Sequence, residues 1–421
     1  MTILRFSRRN ILFKKGVIKM GKLRLLLAAN LISTVGTGVT SYLIIWLLVD
    51  QLNQSVLYGI LTMVTMAFVF FSSPFLGSLV DRHSRKSIFL KLEIIGAVTL
   101  FIFLILFDIS NLLNMILVVL LTLYNTTYDS IKYPTLSALT QEMFNQSEYS
   151  KVNSSLEVQG QAALMISSGL AACLIGQISM TLILIMNVIT YVIASILIYK
   201  LPYQSSSSIK EQSHSTKSVS YWANFTSSLQ YLFHRKVMFV LLLTTFVPSI
   251  VIIVANYLDP IFVYHFLNEG PSVIGIANIF YAIGAISAGF ITYQMSKKVG
   301  DIPGIILFMI LFATSIMAIF IIPHSFTFIA ASLLLGNANA SIRIFRKSYL
   351  FHYVDNAFMG RVNSLINAFK LLGQISLIGI LTITVVPAGN SNVGYVILFL
   401  IVIVSLFITF YLYVKKVRKL K

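Results

Sequence analysis

Ionisable side chains are rare within the long apolar stretches of this 421-residue chain, and those few could carry its chemistry. Asp129 and Lys132 lie three residues apart, so a helix would place them on one face. Glu157 follows in the next apolar run and Lys370 in the eleventh. A charge near the centre of a bilayer costs about 2.5–3.5 kcal/mol on insertion scales, so each of these groups is expected to face a partner or a polar path. At a rise of about 1.5 Å per residue, Asp129 lies roughly 14 Å and Lys132 roughly 9 Å from the end of their run, and Glu157 lies roughly 8 Å into the next. The shared depth suggests an ion pair between Lys132 and Glu157, either a lock between two helices or part of a relay. A carboxylate held beside a single cation can take up and release a proton. Asp129, the deeper acid, is therefore the leading proton-coupling residue, with Glu157 second. Lys370, roughly 14 Å into its run, could bind an anionic group, or its stem could reach back along the helix toward the surface.

Uncharged polar residues add a candidate substrate cavity. The first run holds Asn30, Ser33, Thr34, Thr37, Thr40 and Ser41, unusually many for a lipid-facing helix, although Ser and Thr also serve in helix packing. Asn125, Asn256 and Tyr257 join Asn30, Thr34, Thr37 and Lys370 as expected cavity residues. No G-x-x-x-x-G-K-[ST] loop is present, so nucleotide hydrolysis by this chain is not expected to be the energy source. Cys173 is the single cysteine, which excludes an intrachain disulfide and a Cys-x-x-Cys centre. No metal or organic cofactor is expected.

These residues must be positioned by membrane helices. Hydrophobic residues make up 57% of the chain and charged residues 10%, whereas soluble domains carry about 25% charged residues. Apolar runs of spanning length fall near 25–49, 56–80, 88–107, 115–138, 152–176, 181–199, 237–258, 271–296, 303–322, 326–346, 361–386 and 393–414. The fold class is thus all-α and integral to the membrane, with twelve transmembrane helices. Of the 31 Lys and Arg residues, 29 fall in alternate loops and the two tails, so the net charge of +18 points to a membrane surface and its lipids and not to nucleic acid. The positive-inside rule puts both termini in the cytoplasm of a plasma-membrane protein. The expected organisation is a tail at 1–24, a six-helix bundle at 25–200, a polar loop at 201–236, a second bundle at 237–414 and a tail at 415–421. The N-terminal tail is basic with interspersed apolar residues; a flexible tail is expected, with a short lipid-bound helix as the alternative. Lys151-Val152-Asn153-Ser154-Ser155-Leu156 resembles Arg361-Val362-Asn363-Ser364-Leu365-Ile366, 210 residues on, as an internal duplication would produce.

The loop after the second run reads Gly77-Ser78-Leu79-Val80-Asp81-Arg82-His83-Ser84-Arg85-Lys86. It resembles the major facilitator superfamily signature G-x-L-a-D-r-x-G-r-R/K, with Ser84 in place of the second glycine. Within that superfamily the chain looks most like macrolide-efflux-type exporters, through Asp81–Lys86, Pro134–Ala138 followed by Lys151, and Gly360-Arg361-Val362. The resemblance implies a major facilitator fold of two six-helix halves. It also implies a conformational gate built from Gly77, Asp81, Arg82, Arg85, Lys86, Gly360 and Arg361. The sequence departs from many proton-coupled exporters in two places: Tyr124–Asp129 has no arginine, and Ser167-Ser168-Gly169-Leu170 has no proline.

The resulting expectation is a monomeric secondary transporter that exports small amphiphilic molecules, an antibiotic or a secreted metabolite, in exchange for protons. Uptake or facilitated transport without proton antiport is the alternative. A membrane enzyme acting on lipid-linked substrates is a distant third, because the intramembrane ionisable groups are dispersed.

Overall fold

The computed structural model describes residues 2–106, 111–145, 148–203, 235–296, 298–354 and 356–418. Most of the expected central loop lies outside them, as do the side-chain surroundings of residues 2–20 and of Gly77, Asp81, Arg82, Lys151, Gly360 and Arg361. Twelve α-helices are present among the described residues: α1 (Thr2–Trp46), α2 (Ser55–Arg82), α3 (Arg85–Leu106), α4 (Asn111–Met143), α5 (Tyr149–Leu174), α6 (Met180–Tyr199), α7 (Lys236–Ile261), α8 (Pro271–Ser296), α9 (Asp301–Ile321), α10 (Ser325–Tyr353), α11 (Asn356–Thr384) and α12 (Ser391–Arg418). One isolated bridge, Ile175 to Ile178, is the only β pairing among these residues. Ten helices are long and apolar enough to cross a membrane by length and composition. The other two, α4 and α5, carry Asp129, Lys132 and Glu157. The basic segment expected as a flexible tail is instead the beginning of α1, which runs unbroken from Thr2.

Many large apolar side chains lie on the outside, among them Phe71, Phe75, Phe290, Phe407 and Ile383. Such a surface needs hydrocarbon as its solvent, because lipid tails accept it and water does not.

The chain divides into two compact units. The first comprises residues 1–44, 71–170 and 174–209; the second comprises 45–70, 171–173 and 210–421. In the first, Leu26, Phe89, Leu139 and Val152 share a core. Gly36 brings α1 against Asn187 and Thr190 of α6, where a Cβ would collide with their side chains. Asn187 donates to Thr40 at 2.6 Å across the same contact.

In the second unit, α8 and α10 cross at reciprocal glycines. A Cβ on Gly284 would strike the Leu333 carbonyl, and one on Gly336 would strike the Tyr281 carbonyl. Small residues let membrane helices approach this closely, and side-chain hydrogen bonds then join them. Here those bonds are Asn337 to Ser287 at 2.9 Å, Asn339 to Tyr281 at 2.8 Å and Thr292 to Ser341 at 2.9 Å. The first turns of α2 also belong to this unit. Gly59 lies against Tyr257 and Thr382, and the Tyr58 and Tyr257 ring centroids are 5.3 Å apart.

Two helix ends repeat each other. After α1 and after α7 the backbone widens into a π-helical turn, Leu47–Gln51 and Phe262–Phe266. Each turn ends on an asparagine with positive φ, 52° at Asn53 and 55° at Asn268. Asparagine tolerates this left-handed conformation better than most non-glycine residues. The closing hydrogen bonds match as well: Leu52 N to Leu47 O at 2.8 Å, and Leu267 N to Phe262 O at 2.9 Å. The duplication first visible at Lys151 and Arg361 therefore extends to α1 and α7.

Candidate functional site

In the first unit, helices α1, α3, α4 and α6 converge on Lys132. Its ammonium donates to Ser33 Oγ at 2.7 Å and to Thr34 Oγ1 at 3.0 Å, both on α1. It also lies 5.2 Å from the Tyr128 ring centroid and 5.9 Å from that of Phe89. Tyr128 donates its hydroxyl to Glu93 Oε1 at 2.8 Å. Glu93, on α3, is fully buried, and its Oε2 has no hydrogen-bond partner. The Tyr128 ring meets Tyr191 of α6 edge-on at 5.3 Å, and the Tyr191 hydroxyl shares a 3.1 Å hydrogen bond with Thr37. Asp129 is exposed on α4, one turn from Lys132. Glu93 and Asp129 are the two acids whose charges act on Lys132.

The expected ion pair between Lys132 and Glu157 does not form. Glu157 is exposed and accepts only a long 3.4 Å hydrogen bond from Gln161. The two residues were matched by depth, but facing depends on the helical angle, and the buried side of α5 carries Val152, Gln159 and Ala163. Gln159 of α5 faces α1, and its Oε1 accepts from Asn30 at 2.5 Å. Asn30 and Thr37, expected to line a cavity, are 7% and 4% exposed and join helices to each other. Thr34 belongs to the Lys132 seat. Asn125 is buried, and neither polar atom of its amide has a partner.

Of the expected gate, Arg85 and Lys86 are described. Arg85 Nη1 pairs with Glu142 Oε1 at 2.8 Å near the end of α4. Glu142 also accepts from the Tyr203 hydroxyl at 2.5 Å. Lys86 donates to the carbonyls of Tyr199 and Leu201 at 2.9 and 2.7 Å. Both residues therefore tie the α2–α3 turn to the ends of α4 and α6 within the first unit. The surroundings of Gly77, Asp81, Arg82, Gly360 and Arg361 fall outside the described residues.

The second unit holds a buried arginine at the last position of the tenth expected run, counted on sequence with the basic residues of the following loop. Arg346 is 7% exposed on α10 and donates to the Thr245 carbonyl at 2.8 Å and to Ser249 Oγ at 3.3 Å, both on α7. Its guanidinium sits 3.7 Å from the Phe246 ring centroid. Lys370 is half-buried on α11. Asp259, also assigned to a loop, lies inside α7 and accepts from Tyr395 at 2.5 Å. Asp259, Tyr395, Asn256 and Asn278 line one internal cavity, whereas Tyr257 turns away to a 2.8 Å hydrogen bond with Thr382.

Glu93 stood on sequence only as a third intramembrane acid near the cytoplasmic end of its run, and Arg346 and Asp259 were not singled out, for one reason. Each lies near a basic cluster or a proline, where the hydropathy of the sequence falls, yet the helix continues through it. α3 begins eight residues before Glu93, and α10 ends seven residues after Arg346.

Comparison with known proteins fits this architecture. The profile of the Major Facilitator Superfamily matches residues 26–375. No curated protein matches the chain. Among solved structures, the chain is similar to a bacterial homologue of the iron transporter ferroportin in an inward-facing state, with a TM-score of 0.70 and 14% identity over 93% of this chain and 98% of that one. It is similar to the nucleoside transporter NupG, with a TM-score of 0.67 and 13% identity over 94% and 99%. A bacterial homologue of the human lysosomal transporter Spinster gives a TM-score of 0.69 and 10% identity over 94% and 97%. With the profile covering most of its length and the twelve-helix fold in place, the chain belongs to the Major Facilitator Superfamily of multi-pass membrane transporters.

Proposed function

We propose that this chain is a proton-coupled exporter of small amphiphilic molecules, acting as a monomer in the plasma membrane with both termini in the cytoplasm. The orientation rests on the distribution of basic residues. The observation that supports proton coupling is the cluster of Glu93, Tyr128, Lys132 and Asp129, two acids around one buried cation.

With both acids ionised the cluster carries one net negative charge; with one proton added it is neutral. A net charge inside a low-dielectric bundle is expensive, and a neutral cluster much less so. Binding and release of a single proton therefore changes which conformations the bundle tolerates. Lys132 is suited to such a role because hydroxyls hold its ammonium, leaving it to respond to whichever acid is charged. Glu93 stands in the part expected of Glu157, as the second acid beside Asp129. The proton gradient supplies the energy, and no bound cofactor takes part.

The test uses purified protein in liposomes with an imposed pH gradient and a panel of amphiphilic dyes. Glu93→Gln and Asp129→Asn should retain counterflow exchange of a transported dye and lose its gradient-driven accumulation. If both variants still concentrate the dye, the antiport reading fails and facilitated transport takes its place.

A further inference from the structure

Three cations gather on the helices of the second unit, Arg346 buried, Lys370 half-buried and Arg343 exposed, and among the described residues no acid acts on Arg346 or Lys370. Arg343 and Arg346 stand one turn apart on α10. Arg346 reaches Ser249 of α7, and Gln374 of α11 donates to the carbonyl of the same Ser249 at 3.5 Å. Lys370 precedes Gln374 by one turn, and the charges of Arg343 and Arg346 bear on it. The described acids of this unit are engaged elsewhere: Asp259 with Tyr395, Glu269 with Ser325, Asp301 with His352 and Asp50 with Gln51.

Enrichment of basic residues at helix ends does not explain this cluster. Arg343 lies ten residues before the end of α10 and Lys370 fourteen residues after the start of α11. Those separations are about 15 Å and about 21 Å along the helices. Like charges so placed repel each other in a low dielectric, and an anion would relieve the repulsion. The planar guanidinium of arginine matches the oxygens of a carboxylate, phosphate or sulfonate. Apolar surface adjoins the charges: Phe246 lies under Arg346, and Phe369, next to Lys370, is 6.1 Å from Phe239 between ring centroids.

We propose that Arg343, Arg346 and Lys370 form a binding site for the anionic group of an amphiphilic substrate, a carboxylate, phosphate or sulfonate carried on an apolar body. That the bound molecule is cargo rests on the transport function proposed above; that the site binds an organic anion does not.

The experiment compares two fluorescent probes with the same kind of aromatic body. Anilinonaphthalene sulfonate is anionic, and phenylnaphthylamine is neutral. Binding is measured to the full chain in phosphatidylcholine nanodiscs, with empty discs subtracted. The sulfonate should bind about tenfold more tightly or better. Arg346 is held by Thr245 and Phe246, so its removal endangers the fold; Arg343, exposed, and Lys370, half-buried, are the positions to change. Arg343→Gln and Lys370→Gln should each weaken the sulfonate about tenfold and leave the neutral probe unchanged. Equal affinity for the two probes, or a parallel loss of both in the variants, overturns the site. Discs containing phosphatidylglycerol separate two sources of the anion. Unchanged sulfonate affinity supports a soluble amphiphile, and displacement by the lipid overturns the cargo assignment in favour of a headgroup site. Because the readout is binding, failure of gradient-driven transport with binding intact removes the antiport mechanism and leaves the anion site standing.

Discussion

Replacing Lys132 with methionine tests whether Glu93 is its true acidic neighbour. The methionine keeps much of the apolar stem and removes the charge. Two charge-assisted hydrogen bonds, to Ser33 and Thr34, are lost, and such bonds contribute about 1.5–3 kcal/mol each at most. The contact with the Tyr128 ring adds about 0.5–2 kcal/mol. More important, Glu93 becomes a buried acid without a compensating cation. Removing one member of a buried charged group typically costs about 3–5 kcal/mol, and that is the expected loss for Lys132→Met. The attraction between Lys132 and Glu93 can be bounded separately. No contact ion pair joins them among the described residues, so it stays below the roughly 4 kcal/mol of a pair at about 4 Å with an effective dielectric of about 20. Lys132→Met combined with Glu93→Gln should therefore recover about 1–2 kcal/mol relative to the sum of the single losses. Combining it with Glu157→Gln should recover nothing, because Glu157 faces away. Unfolding of the purified protein by titration with denaturing detergent in mixed micelles gives the three stabilities. Additive losses for Lys132 and Glu93, or rescue by Glu157→Gln, would refute the cluster as described.

Three further outcomes follow from the packing and the ion pairs. Gly336→Val should destabilise the α8–α10 crossing by about 1–3 kcal/mol in the same detergent titration, since its Cβ meets the Tyr281 carbonyl; Gly160→Ala, inside α5 with open space around it, should raise stability by about 0.5–1 kcal/mol. Arg85→Gln should cost about 1–3 kcal/mol by loss of its bond to Glu142, and the reversed pair Arg85→Glu with Glu142→Arg should regain part of it. Thr382→Val should break the 2.8 Å hydrogen bond to Tyr257 and cost about 0.5–1.5 kcal/mol, visible as a lower thermal midpoint.

How far the sequence revealed this arrangement depends on what each inference used. The twelve helices follow from runs of about 20 largely apolar residues, ten of them apolar enough to span by composition alone and two, α4 and α5, interrupted by charge. The superfamily was legible as a resemblance, carried by Gly77, Leu79, Asp81, Arg82, Arg85 and Lys86 between two spans, and the profile match over residues 26–375 establishes it. The ion pair did not follow, because depth along a helix can be counted from sequence while facing requires knowing how neighbouring helices are rotated. Glu157 and Gln159 are two residues apart, yet one is exposed and the other bonds Asn30. Arg346 and Asp259 were hidden by the assumption that charge marks a loop. Membrane helices do carry charge where another helix supplies partners, as the Thr245 carbonyl does for Arg346 and Tyr395 for Asp259.

The internal duplication sharpens the contrast between the two charged sites. At the 210-residue offset that relates Lys151 to Arg361, the counterpart of Lys132 is Ile342, which is fully buried and apolar. The counterpart of Arg346 is Leu136, a core residue of the first unit. The counterpart of Lys370 is Gly160, where the structure leaves open space. The backbone device that ends α1 and α7 is kept in both halves, down to the left-handed Asn53 and Asn268, 215 residues apart, so the scaffold repeats while the surroundings of the buried charges differ. Scaffold positions are fixed by packing against neighbours that are themselves repeated. A charged position inside a membrane is tolerated only where it has a partner or a task, and each half supplies a different one. The first half surrounds one cation with two acids, which suits exchange of a proton. The second gathers cations with no acid beside them among the described residues, which suits an anionic ligand. A transporter that couples a proton to an anion needs both chemistries, and repeating either one in the other half would add an intramembrane charge that nothing there compensates.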